Sequence, residues 1–335
     1  MSRLPAILAL GTLVVPSLLA QETKDPAPWS EKLGYPKGKV VLLLHADDIG
    51  MCYEANFSAK QHLVQNTLHS ASAIVPAPWF NEFAHWSTSH PDLCIGLHIA
   101  LNSEWEWYRW PPVAHPDDVE SLMDPDGYLW SSVPQVMLKA KANEIETEIR
   151  AQIMRAHKMG MRPTHIDTHM GTVYARPEFL KAFLKIAREF GLPAMAIEPS
   201  DLMVRKFAVQ GFVNREVIKI LRDYPGPKLD MMWGVSAAKS YEEKLEKFFA
   251  MVRDLKPGIH EFYLHPSIET EGLKHITNAW QQRVWEHQMF TDPKVREFLE
   301  KGGFLFTSWK EMSRRFQERS EQPNKKPTPG SIKKQ

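Results

Sequence analysis

From Val40 to Leu44 the chain is unbroken aliphatic, with nothing polar to face water on either side. A strand of that kind must be covered on both faces, the condition of a parallel sheet clothed in helices. The pattern then repeats. Short strand-like runs, "VVLLLHA", "SASAIV", "LCIGLHI", "PTHIDTH", "AMAIE", "KLDMMW", "IHEFYLH" and "GFLFTS", alternate with segments of helical period such as "EIETEIRAQIMRAHKMG" and "PEFLKAFLKIAREFG", the latter stopping on Gly191. Strand and helix in alternation predict an α/β fold. Seven to eight units point to a single-domain (β/α) barrel, distorted or incomplete. No G-x-G-x-x-G follows a strand, which argues against dinucleotide binding.

The ends of the chain read differently. "MSRLPAILALGTLVVPSLLAQ" has a basic start at Arg3, a short apolar run and a small residue at Ala20, the pattern of a cleaved signal peptide over residues 1–20. Gln21, not Cys, follows, so no lipid site is expected. The protein is therefore expected to be exported, periplasmic or secreted, with no stable membrane insertion after cleavage. Residues 21–38 read as a linker, 39–315 as the barrel domain, and the Pro- and Lys-rich residues 316–335 as a disordered tail. The 41 basic and 40 acidic residues give a net charge of +1 and no basis for a nucleic-acid partner. Cys52 and Cys94 are the only cysteines, and their expected depths differ, which argues against a disulfide.

In α/β barrels the chemistry gathers where strands end. The first run ends "HADDIG", with Asp47 and Asp48 adjacent. Two neighbouring carboxylates cannot leave water without a cation or a proton between them. In "DLCIGLHIAL", His98 shares a strand face with the small residues Cys94, Gly96 and Ala100, which leaves room beside it. In "PTHIDTHM", His165, Asp167 and His169 share one face, and "EFYLHPS" places His265 at a strand end. One carboxylate and two histidines form a facial site for a divalent ion, zinc or magnesium. The second aspartate, free beside a metal-activated water, would act as general base. These residues alone do not choose between His165 and His169. The stretch from Trp105 to about Pro134 has little periodicity and reads as a long loop over the site. Its "SEWEWYRW" carries Trp105, Trp107, Tyr108, Arg109 and Trp110, expected to contact substrate chiefly through Arg109, Trp105 and Trp110.

Four segments in order resemble the YdjC-like carbohydrate deacetylases: "HADDIG" for N-A-D-D-F-G, "GLHIAL" for a strand ending G-x-H, "THIDTH" for T-H-x-D-S-H, and "LHPS" for H-P-G. The resemblance covers about Lys39 to Glu311. It implies a barrel of the glycoside hydrolase/deacetylase type that removes an acetyl group from an N-acetylated sugar. It implies Asp47 as base, Asp48, His98 and His169 as ligands of one divalent ion, and His265 as acid or oxyanion partner. His165 and Asp167 then orient the ligands. The expected partner is an acetylated carbohydrate; an oligomer is left open. Two other readings compete. One is another metal-dependent glycan hydrolase, an ester deacetylase or a glycosidase; a glycosidase would need a further carboxylate, for which Glu104, Glu106 and Glu198 are candidates. An exported sugar-binding protein would have no use for a spare aspartate.

Overall fold

The computed structural model describes residues 27–208 and 214–321. The expected signal peptide lies outside them. Among the described residues seven parallel strands form the sheet: β1 (Val40–Ile49), β2 (Ser70–Ala73), β3 (Ile95–Ile99), β4 (Ile166–Thr168), β5 (Met231–Gly234), β6 (Gly258–Leu264) and β7 (Leu305–Phe306). Their order is β4-β3-β2-β1-β6-β5, with β7 beside the start of β1. The aliphatic run lies at the centre: Val41, Leu42, Leu43 and Leu44 are buried, as a strand covered on both faces requires. Beyond β4 the segment "AMAIE" forms only isolated bridges, Ile166 to Ala194 and Ile197 to Leu229, just before β5. Those bridges carry the sheet from β4 round towards β5, so it curls into a distorted barrel.

Outer helices close the wall. In helix Pro177–Glu189 Phe179, Leu180, Phe183 and Ile186 are buried, spaced as one helical face, and the chain leaves it through Gly191 at φ 65°. In helix Ala142–Lys158 Ile145, Ile149 and Ile153 do the same at intervals of four. Among the described residues no helix is long and apolar enough to cross a membrane.

Two boundaries need correction. Residues 21–38 are not all linker: Trp29, Leu33 and Tyr35 are buried, Trp29 donates to Glu198, and Tyr35 donates to Thr307 Oγ1 at 2.6 Å. Nor is residue 316 the start of a disordered tail. Helix Trp309–Glu321 continues through it, with Phe316 6.3 Å from the Trp29 ring. Buried Trp309 and Met312 seat the helix, and half-buried Phe316 extends the contact along it. Cys52 and Cys94 are both buried and free.

Candidate active site

Two adjacent residues of a regular strand point to opposite faces. Asp47 and Asp48 nevertheless line the same cavity. The pairing of β1 with β2 shifts register between Ala46 and Ile49, and Asp48 takes the left-handed conformation, φ 60°. For a residue with a Cβ this conformation costs of order 1–3 kcal/mol, and it is typical of functional sites. A similar turn follows β4, where Met170 (φ 51°) and Gly171 (φ 66°) come directly after His169.

The carboxyl ends of β1, β3 and β4 bring together Asp48, His98 and His169, whose ligand atoms lie within 4.8 Å of one another. His169 Nδ1 is 3.0 Å and His98 Nε2 3.5 Å from Asp48 Oδ1. Neither approach is aligned as a hydrogen bond, so this buried oxygen has no partner. The outer nitrogens are occupied. His98 Nδ1 lies 2.7 Å from Asp167 Oδ1, and His169 Nε2 2.9 Å from Glu104 Oε2. Each histidine thus has a carboxylate behind it and turns its other nitrogen inward, the arrangement of metal-ligating histidines. The buried, unpartnered oxygen and two inward nitrogens fit a divalent ion, and the mixed N/O donor set suits zinc.

The electrostatics show how much positive charge the site demands. Burial alone would raise the Asp48 pKa, but Arg283, donating at 2.7 Å to Oδ2, with His169 and His265 holds it well below the usual carboxylate range. Burial disfavours charge on His169, yet Glu104 and Asp48 raise its pKa to about 10. His98 is likewise raised against the effect of burial, chiefly by Asp167. Beneath them His45 is fully enclosed, its Nε2 3.2 Å from Asp47 Oδ1 and 3.1 Å from Asp167 Oδ2. Burial opposes its charge too, but Asp167 and Asp47 raise its pKa well above the ordinary value. His165 lies deeper, stacked on Trp309, and burial lowers its pKa to about 3. His265 lines the same cavity, with Nε2 3.8 Å from Asp48 Oδ2.

The tryptophan-rich loop is where structure and expectation part. Arg109 does not reach the cavity. Its Nη2 donates to Asp124 Oδ2 at 2.7 Å and to Leu129 O at 2.6 Å. Trp110 is wholly buried and donates to Asn102 O, and Trp105 is buried 5.3 Å from it. The loop folds on its own aromatics, because large rings gain more by burial than by waiting for a ligand. Of the rings in "SEWEWYRW" only Trp107 is left in solvent, 84% exposed. Of the extra carboxylates of a glycosidase, Glu198 joins Trp29 and Lys228 and Glu106 is exposed; Glu104 does line the cavity, engaged by His169. Sequence reasoning missed Arg283 altogether. It lies on the polar helix Trp280–Met289, where an arginine looks like any surface residue.

Known proteins supply an independent comparison. The family described as YdjC-like protein matches residues 41–301. A protein of Thermus thermophilus named carbohydrate deacetylase is 30% identical over 80% of this chain and 92% of its own. One of the same name from Thermoanaerobacter pseudethanolicus is 25% identical over 80% of this chain and 97% of its own. A solved structure from Enterococcus faecalis V583, described as a cellobiose-phosphate cleavage protein, superposes with a TM-score of 0.68 at 24% identity, covering 83% of this chain and all of the other, and shares the fold.

Proposed function

The chain belongs to the YdjC-like family, and from that premise we propose that it is an exported, metal-dependent carbohydrate deacetylase that hydrolyses the amide of an N-acetylated sugar. The observation that carries the proposal is the unpartnered Asp48 Oδ1 facing His98 and His169, with a second aspartate on the same cavity wall. A divalent ion, zinc or magnesium, held by Asp48, His98 and His169 would supply a Lewis acid that makes water a nucleophile near neutral pH and polarises the acetyl carbonyl. The rest falls to the protein's own groups. Asp47 takes the proton of the attacking water. Its other neighbour, the His45 cation, keeps the carboxylate oriented. Water adds to the carbonyl carbon, the C–N bond breaks, and the departing nitrogen takes up a proton from His265. Acetate and the amino sugar result. Arg283 holds Asp48 ionised and fixes one of its oxygens, leaving the other free to ligate. Relatives named carbohydrate deacetylase support the substrate class.

Full-length protein loaded with zinc or magnesium tests this on N-acetylglucosamine oligomers. Acetate release without new reducing ends is the expected result. New reducing ends would mark a glycosidase, and neither product would leave a binding protein or a different substrate.

A further inference from the structure

The cavity has two unlike walls. Around the barrel, β1, β3, β4 and β6 supply ionisable groups, but the arc between β4 and β6 supplies Met195, Ile197 and Met232. Helix Asp201–Ala208 adds Met203 and Phe207 above them, and Leu221 completes that side. The apolar wall offers little to a hydroxyl group. Tyr174 donates to Met195 O at 2.8 Å, and Lys206 Nζ donates to Met232 O at 3.0 Å, so these two carbonyls are already bonded. A second sugar ring placed here would bury hydroxyls without partners, which is unfavourable. The space, about 360 Å³, lies at the small end of ligand clefts. Methionine is the residue that best moulds itself to a flexible apolar chain.

We propose that the substrate is an amphiphile: one N-acylated sugar ring at the ionisable wall, bearing an apolar chain that lies along Met195, Ile197, Met203, Phe207, Leu221 and Met232. The proposal rests on the deacetylase reading for the sugar end. The chain is joined either at the anomeric oxygen or through the amide as a longer acyl group, and the two attachments separate by assay.

The metal-loaded full chain is given methyl and octyl N-acetylglucosaminide, and in a second arm N-acetyl- and N-octanoylglucosamine, all below micelle-forming concentration. The expected result is a gain in kcat/KM of about tenfold or more for the longer chain in one arm, which identifies the attachment. Phe207→Ser and Met232→Ser, both at half-buried positions, should bring that ratio towards one. Rates within about twofold in both arms overturn the proposal. Calorimetry with octyl and methyl glucoside, which carry no acetyl group, separates the two claims. Tighter binding of the octyl compound without hydrolysis of any N-acyl substrate keeps the apolar wall and removes the deacetylase reading. Acetate release with no chain dependence in rate or binding does the reverse.

Discussion

Replacing Asp167 by Asn keeps the shape of a side chain at the meeting point of three histidines and removes its charge. Asp167 Oδ1 lies 2.7 Å from His98 Nδ1, and Oδ2 lies 3.1 Å from His45 Nε2 and 3.8 Å from His165 Nε2. In the proposed centre His98 turns its other nitrogen to the ion, and the carboxylate behind it raises its basicity. Losing such a partner costs ~10–100-fold in metal affinity, or about 1.4–2.8 kcal/mol. The asparagine oxygen still accepts from His98, so the expected loss is near the lower figure, about tenfold. Stability of the metal-free fold falls as well, because His45 keeps Ser72 and Asp47 but loses one of its two carboxylate neighbours. That loss stays below the ~3–5 kcal/mol of a fully broken buried pair. Burial would raise the Asp167 pKa, but His98 and His45 depress it below the ordinary value. A depressed carboxyl contributes stability above its unfolded pKa, ~3.9, and loses it as pH falls through the folded value. The gap between wild type and variant is therefore widest over about pH 5–6.5; it closes in stronger acid, and also as pH rises above ~6.5 through the raised values of His45 and His98. Zinc competition against a chromophoric chelator and urea unfolding of metal-free protein measure the two effects. Unchanged zinc affinity together with unchanged unfolding would refute the reasoning.

Asp47→Asn is expected to keep its metal by elemental analysis and lose ~10²-fold or more in kcat; near wild-type turnover would move the base elsewhere. Arg109→Ala removes two hydrogen bonds inside the loop, so stability should fall by about 1–3 kcal/mol in urea unfolding while KM is unchanged. A raised KM with normal stability would return Arg109 to the substrate. Glu148 accepts from Val113 N, Ala114 N and Gln152 Nε2, yet burial pushes its pKa up to about 7. A raised carboxyl contributes most below its unfolded pKa and loses that contribution as pH rises through the folded one. Relative to Glu148→Gln, the wild type should lose up to about 3 kcal/mol between about pH 5 and 8. A flat difference would show that Glu148 is ionised throughout.

Legibility followed burial. The aliphatic run at Val41–Leu44 had no alternative to a central strand, and helix Pro177–Glu189 carried its period openly. The segment "AMAIE" is apolar up to Glu198 but forms only bridges, since pairing depends on neighbours far along the chain. Alternation placed His165, Asp167 and His169 on one face, but not at one depth: His165 lies beneath, against Trp309, and His169 at the cavity. That both aspartates share a wall depends on the turn at Asp48, for which the strand pattern holds no signal. Arg283 is distant in sequence from Asp48, so no local pattern joins them. The tryptophans misled for a physical reason: composition shows that rings are abundant, not which way they face.

The central claim is that Asp48, His98 and His169 hold the ion on which amide hydrolysis depends. The most direct measurement titrates zinc into metal-free wild type and His98→Ala while following bound metal and acetate release together. The account predicts that acetate release in the wild type rises with bound zinc and levels off at one equivalent. His98→Ala, folded by circular dichroism, should bind no ion at that site and release no acetate. Full activity in metal-free protein, or a full equivalent of tightly bound zinc in His98→Ala, would contradict it.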